Sequence, residues 1–243
     1  MKKILLIAGA LVALAVPSFA ADCKDALYGW TPADGAHIVG TLANEGLWVN
    51  NPADPGRETY RGVTRRDNPK WRGWALIDAA KIGKQPKFGT KAYRAWVKGL
   101  NSRLTANTAI DALVVQFYHD GIWSETQGDK IVSQYLAYKL FDLATNMGTG
   151  TAIILIEKTI NDLNGKGKDF PLHGYLAEGV IPWLNDFTAP QKLADGTESN
   201  WRRWCFFAQL KLNAEARYGM LISRNPKLRQ FWETWDDRNR NNR

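Results

Sequence analysis

The chain is poor in cysteine and histidine. It has two cysteines, Cys23 and Cys205, and three histidines, His37, His119 and His173, which lie far apart without ligand spacing. A zinc site is therefore not expected, nor any other metal. Two cysteines allow at most one disulfide. In an oxidising compartment a Cys23–Cys205 bond would tie the mature N-terminus to a late helix, and a pair of free thiols, one buried and one exposed, is the alternative. Long apolar runs are missing as well. The uncharged stretch 4–16 (ILLIAGALVALAV) is about 13 residues long, short of the roughly 20 needed to span a bilayer. No repeat or low-complexity linker occurs. The absence of a nucleic-acid motif or concentrated basic stripe argues against nucleic acid as a partner.

That short apolar stretch has the form of an export signal. Lys2 and Lys3 precede it, Pro17 breaks it, and Ser18-Phe19-Ala20 puts small residues where a signal peptidase reads. Cleavage after Ala20 is expected, giving a periplasmic or secreted protein with no stable membrane insertion. The rival is an uncleaved anchor, since Gly9, Ala10, Ala13 and Ala15 dilute the run. Ala21-Asp22 before Cys23 is a poor lipidation box, so a lipoprotein is not expected. Removing residues 1–20 leaves about 223 residues, room for one large domain. The net charge of +8 falls to about +6 without Lys2 and Lys3, a balance that draws an exported protein to anionic polymers such as those of the cell envelope. Eleven tryptophans suit a thick core or a cleft for stacking on sugars.

Periodicity predicts a mainly helical domain with a small β element near its start. A helix is expected over 34–44 with Asp34 as N-cap and Ile38, Val39 and Leu42 on one face, leaving Glu45 at its C-terminal edge. Residues 47–64 switch to turn chemistry, with Asn50-Asn51-Pro52, Asp54-Pro55-Gly56 and Gly62 between Trp48, Val49, Thr59, Tyr60 and Val63. Further helices are expected over 91–103, from an Asn107 cap onward, over 129–147 as a buried central helix, and from a Thr149 cap to 163. An exposed turn at 164–168, a long helix over 198–223 and a last helix from Pro226 complete the chain. Trp201, Trp204, Phe206 and Phe207 read as a core face.

A carboxylate at a helix end, facing a turn-rich hairpin, is a sensible acid for bond cleavage. Partial burial would keep Glu45 protonated near neutral pH while a wetter Asp54 stays ionised, and two such carboxyls are what glycosidic hydrolysis uses. On the residues alone, an ordinary helix-end Glu and turn Asp explain the pattern as well.

Residues 44–64 (NEGLWVNNPADPGRETYRGVT) resemble the N-terminal signature of the glycoside hydrolase family 108 muramidases. Matching positions are Glu45, Gly46, Trp48, Asn51, Asp54, Pro55, Gly56, Thr59, Gly62 and Val63. Residues 117–124 (FYHDGIWS) are similar to the family's Tyr-x-x-x-Tyr-Trp stretch, and 140–152 (LFDLATNMGTGTA) to its Phe-Asp-x-x-x-Asn-x-Gly. In pieces, the likeness covers about 36–161. Glu45, Asp54 and Thr59 also resemble, in order and near-spacing, the catalytic Glu, Asp and Thr of phage-type lysozymes. The resemblance implies a lysozyme-like helical fold and an exported muramidase acting on peptidoglycan, without a cofactor. Glu45 is then the general acid, and Asp54 and Thr59 hold or polarise the attacking water, which implies inversion.

Trp48, Tyr60 and Trp123 lie in or near the matched motifs and are candidates for stacking on sugars, with core packing as the alternative. Asn146 could bind an acetamido group or cap its helix, and Asp142 is expected to brace the bundle. Two positions depart from the family: Leu47 replaces its second glycine and Arg57 its second turn glycine. If that glycine needs positive φ, Arg57 implies a reshaped loop. The family's C-terminal peptidoglycan-binding segment is not recognisable, and residues 165–243 form a divergent helical part. A monomer is expected. A silent peptidoglycan-binding protein and a lytic transglycosylase stand as the alternatives.

Overall fold

The computed structural model describes residues 29–30, 38–43, 45–52, 56–165, 169–233 and 235–236. It opens with two short antiparallel strands, β1 (Gly29–Trp30) and β2 (Ile38–Val39), followed by a single 3-10 turn, Thr41–Ala43. The helix expected over 34–44 is therefore not formed across its described part. Ile38 and Val39 are β-branched and favour an extended backbone when a strand partner is available. The residues left before Gly46 are too few to repay helix nucleation.

The small β element is where turn chemistry places it. β3 (Val49–Asn50), β4 (Glu58–Tyr60) and β5 (Val63–Thr64) form an antiparallel sheet in that order. Tyr60 pairs with Val63 across a two-residue loop, and both loop residues have positive φ, Arg61 at 45° and Gly62 at 81°. That is the primed turn which suits the right-handed twist of a hairpin. Glu58 anchors the sheet to neighbouring segments: its carboxylate accepts Trp48 Nε1–H at 2.8 Å and pairs with Arg65 at 2.7 Å and Lys81 at 2.8 Å.

Seven helices among the described residues build the rest. α1 (Gly73–Ala80) buries Trp74 and Ile77. α2 (Lys91–Thr105) starts at Thr90, whose hydroxyl accepts from Tyr93 N–H, and α3 (Thr108–Tyr118) starts at the expected Asn107 cap. A π-type turn over His119–Trp123 comes next. α4 (Gln134–Met147) is buried continuously from Leu136 to Ala144, so it is the central helix the sequence predicts. It begins later than expected, because the Ser133 hydroxyl caps it by accepting from Leu136 N–H. Gly148, at φ 85°, ends it and also stands in the capping place of α5 (Thr149–Leu163), where Thr149 is already helical.

α6 (Val180–Thr188) and a hairpin of β6 (Gln191–Lys192) and β7 (Glu198–Ser199) precede α7 (Trp201–Arg224), and a 3-10 turn spans Pro226–Phe231. α7 therefore begins after a strand rather than at Glu198. α4 packs on α5, and α5 on α7, around one core running from Leu42 to Tyr218. The reading of Trp201 and Trp204 as core needs correction: they are 54 % and 61 % exposed, while Phe206 is buried. At 100° per residue the two indoles point away from the side that carries Phe206 and Leu210. Among the described residues no helix is long and apolar enough to cross a membrane.

Candidate active site

Glu45 sits where three distant segments meet. Its own N–H closes the 3-10 turn onto Leu42 C=O at 3.2 Å. That turn is fastened to the central helix, because the buried Thr41 hydroxyl donates to the buried Asp142 carboxylate at 3.4 Å. The bracing role expected of Asp142 thus has a specific partner just upstream of Glu45. Downstream, the Trp48 N–H donates to Asn101 Oδ1 at 2.9 Å, which fixes the exit from the Glu45 turn to α2.

The second segment is the Arg61–Gly62 turn. A Cβ added to Gly62 would lie 3.3 Å from Glu45 Oε2 and inside the contact distance of the Tyr118 hydroxyl. Glycine is therefore required twice here, by its positive φ and by the closeness of the two side chains. The third segment is the end of α3. Tyr118 Oη donates to the Arg61 carbonyl at 2.9 Å, while Arg61 itself pairs with Asp111 of α3 at 3.7 Å. Glu45 is a half-buried residue, its carboxyl held against backbone without a Cβ and beside a phenol that orders the turn. Such a carboxyl has one face on a fixed scaffold, the arrangement proton transfer to a bound oxygen requires.

Thr59 is half-buried in the middle of β4, three residues before Gly62 in the same hairpin. By strand alternation its side chain lies on the face opposite Glu58 and Tyr60. Asp54 lies outside the described residues. Arg57 has φ 53°, so the left-handed conformation that a turn glycine would supply is kept by an arginine. A left-handed arginine strains the backbone at that residue. A depression of about 590 Å³ beside Leu47 is lined also by Lys98, Asn101 and Ser102, but the Glu45 carboxylate is not part of its wall.

The expected sugar-stacking aromatics are corrected by their burial. Trp48 is 2 % exposed, and Tyr60 and Trp123 have no exposure; a ring without an open face cannot stack on a sugar. Each is held instead as core. Trp48 and Trp123 donate their indole N–H groups to Glu58 and to Asp129, the latter at 2.8 Å, and burial pushes the Tyr60 phenol up, against the opposing pull of Arg61. Asn146 is half-buried and donates to Tyr218 Oη at 2.7 Å, joining the end of α4 to α7. Cys205 is an exposed thiol on α7, and its expected partner Cys23 lies outside the described residues. Among the described residues no group of three His, Cys, Asp or Glu is placed to hold a metal ion.

Reasoning from the sequence misses Tyr118 and Arg61. A signal for Arg61 exists: Tyr-Arg-Gly-Val is a two-residue hairpin loop flanked by apolar residues. Tyr118 lies in the 117–124 motif, but nothing local shows its contact with the Arg61 carbonyl, which spans 57 residues.

The sequence profile described as Glycosyl hydrolase 108 matches residues 38–148. The match takes in the motifs at 44–64 and 117–124 and most of that at 140–152, so the family resemblance read from them is borne out. Among solved structures, one titled "Structure of Brucella abortus SagA" aligns with a TM-score of 0.45 and 17 % identity, covering 83 % of this chain and 86 % of that chain. No curated protein gives a match.

Proposed function

We infer, from the match of residues 38–148 to the glycosyl hydrolase 108 family, that this chain is an exported muramidase. Its substrate is peptidoglycan, and the bond cut is the β-1,4 link between N-acetylmuramic acid and N-acetylglucosamine. The observation that carries the reading is half-buried Glu45, its carboxyl packed against the Gly62 backbone and the Tyr118 phenol, at the first residue of the family-like Glu-Gly signature.

In the proposed reaction the protonated Glu45 gives its proton to the bridging glycosidic oxygen as the bond from the anomeric carbon to that oxygen breaks. A water adds its oxygen to the anomeric carbon from the opposite side and loses a proton to a base. The assignment of Asp54 and Thr59 to that water rests on their likeness to the phage-type lysozyme triad. Proton transfer and a positioned water suffice, so no cofactor enters the scheme. The apolar 4–16 stretch with its small-residue end supports delivery to the compartment that holds the substrate.

Glu45→Gln is the direct test. The wild type should clear a peptidoglycan zymogram, and the variant, unchanged in circular dichroism, should lose clearing by at least about a hundredfold. Full activity in that variant would remove Glu45 from the mechanism. Mass spectrometry of the released fragments separates the remaining readings: reducing ends support hydrolysis, 1,6-anhydro ends indicate a transglycosylase, and binding without release indicates a silent wall-binding protein.

A further inference from the structure

α7 is apolar on both sides. Its core side buries Phe206, Leu210 and Tyr218. Away from that side it exposes Trp201, Trp204, Ala208, Leu212, Ala216 and Met220, a stripe that rises about 29 Å at 1.5 Å per residue while turning about 40° at each four-residue step. Taking about 250 Å² for a whole Trp side chain, the exposed fractions of 54 % and 61 % leave roughly 290 Å² on the two indoles alone. Leu212 at 58 % and Met220 at 39 % bring the stripe to roughly 500 Å², the size of the largest patch on a monomer, which is often functional.

We propose that this stripe is the contact face of a homodimer, in which α7 packs antiparallel on α7 of a second copy. Two stripes placed together remove at most about 1,000 Å², the lower bound for a specific interface, so the dimer belongs to the weak, concentration-dependent class. The stripe alternates large and small residues: Trp204, Ala208, Leu212, Ala216 and Met220 recur at four-residue intervals. The small positions let a second backbone approach, and the large ones fill the gaps between them. A lipid surface would gain little from alanines at 208 and 216, which argues for a helix as the occupant. Charge fixes the register. Lys211 and Glu215 lie on one edge of the stripe, so an antiparallel pair with its two-fold axis near residue 213 sets each Lys211 level with the second copy's Glu215. In that register the two Leu212 residues are about 3 Å apart along the axis, whereas the two Trp204 residues are about 27 Å apart.

The test needs no catalytic readout, and the Glu45→Gln chain should dimerise like the wild type. Sedimentation equilibrium of the exported protein at micromolar to hundred-micromolar concentrations should show a monomer–dimer equilibrium. Leu212→Glu, at an exposed site, should keep its circular dichroism and weaken the dimer at least tenfold. In a Cys23→Ser/Cys205→Ser background, mild oxidation should cross-link Leu212→Cys chains and leave Trp204→Cys chains single. A monomer throughout the range overturns the proposal. So does cross-linking at both positions, which means parallel pairing. A monomer holding a Cys23–Cys205 bond overturns it by covering the stripe from within, and a monomer that sediments with anionic phospholipid vesicles overturns it in favour of a membrane face.

Discussion

Gly62→Ala probes the active-site geometry most directly. The added methyl meets two penalties of different origin. At φ 81° an L-residue is in the left-handed region, which costs roughly 1–2 kcal/mol. The methyl also collides with the Tyr118 hydroxyl and presses on Glu45 Oε2 at 3.3 Å, and relieving an overpacked contact costs about 1–3 kcal/mol. A loss of about 2–5 kcal/mol is expected, which for a chain of this size lowers Tm by roughly 5–15 °C. Because Glu45 must yield by a few tenths of an ångström, kcat on peptidoglycan should fall about tenfold in the folded variant. Tyr118→Phe separates the two penalties. It removes the colliding oxygen and leaves the ring carbon 3.6 Å from the new methyl, an ordinary contact. In that background Gly62→Ala should keep the backbone strain and the milder press on Glu45 Oε2 but lose the collision with the hydroxyl, giving a coupling of about 1–3 kcal/mol in a double-mutant cycle. Thermal unfolding by circular dichroism, with turbidimetric clearing, measures both effects. Equal penalties in the two backgrounds would refute the collision, and a Gly62→Ala protein as stable as the wild type would refute the turn itself.

Trp123→Ala should behave as a core deletion, losing about 3–5 kcal/mol, with KM for soluble glycan fragments unchanged in the protein that still folds; a selective rise in KM would restore its stacking role. Arg57→Gly relieves a left-handed arginine but loosens the unfolded chain, so Tm should hold or rise by the equivalent of at most about 1 kcal/mol; a clear fall would mean that the Arg57 side chain is needed. Burial raises the Glu157 carboxyl above its ordinary value of 4.5, against the opposing effects of the Ala177 N–H and His173. A raised folded pKa means stability that is fully present below that ordinary value and lost as pH rises through the higher, folded one. Glu157→Gln should therefore gain Tm relative to the wild type on going from below pH 4.5 upward, and a gap between the two proteins that stays flat across this range would contradict the burial.

The parts of the fold that are legible in the sequence are those fixed by neighbours along the chain. The β3–β5 sheet is dictated by Asn50-Asn51-Pro52 and Gly62, and the caps at Asn107 and Ser133 act within three residues of themselves. Even so, periodicity starts α4 too early, because the pattern carries on through residues that the Ser133 cap excludes. The helix expected before Glu45 fails for the opposite reason. Ile38 and Val39 match a helical face, yet their pairing with residues 29–30 is decided by a partner that the pattern does not contain. α1 and α6, with eight and nine residues, are too short to give a distinct period. On α7 the aromatic cluster is visible, but adjacency in sequence hides the angle that turns Trp201 and Trp204 outward. The same division holds at the site. Glu45 and Thr59 come from a motif, while the contacts of Tyr118 and Asp142 join residues that only the folded chain brings together.

The bond between Thr41 and Asp142 crosses 101 residues of sequence, and that distance has a consequence in time. The turn bearing Glu45 is anchored only after the central helix has formed and returned to the chain's beginning. The phenol that orders the Gly62 loop likewise arrives with α3. A nascent or partly threaded chain therefore lacks this setting of the Glu45 side chain, however early Glu45 itself is made. The Glu45 geometry is thus a property of the folded chain and not of the 44–64 motif by itself. Proteolysis or mild denaturant should silence the site before the helical content falls.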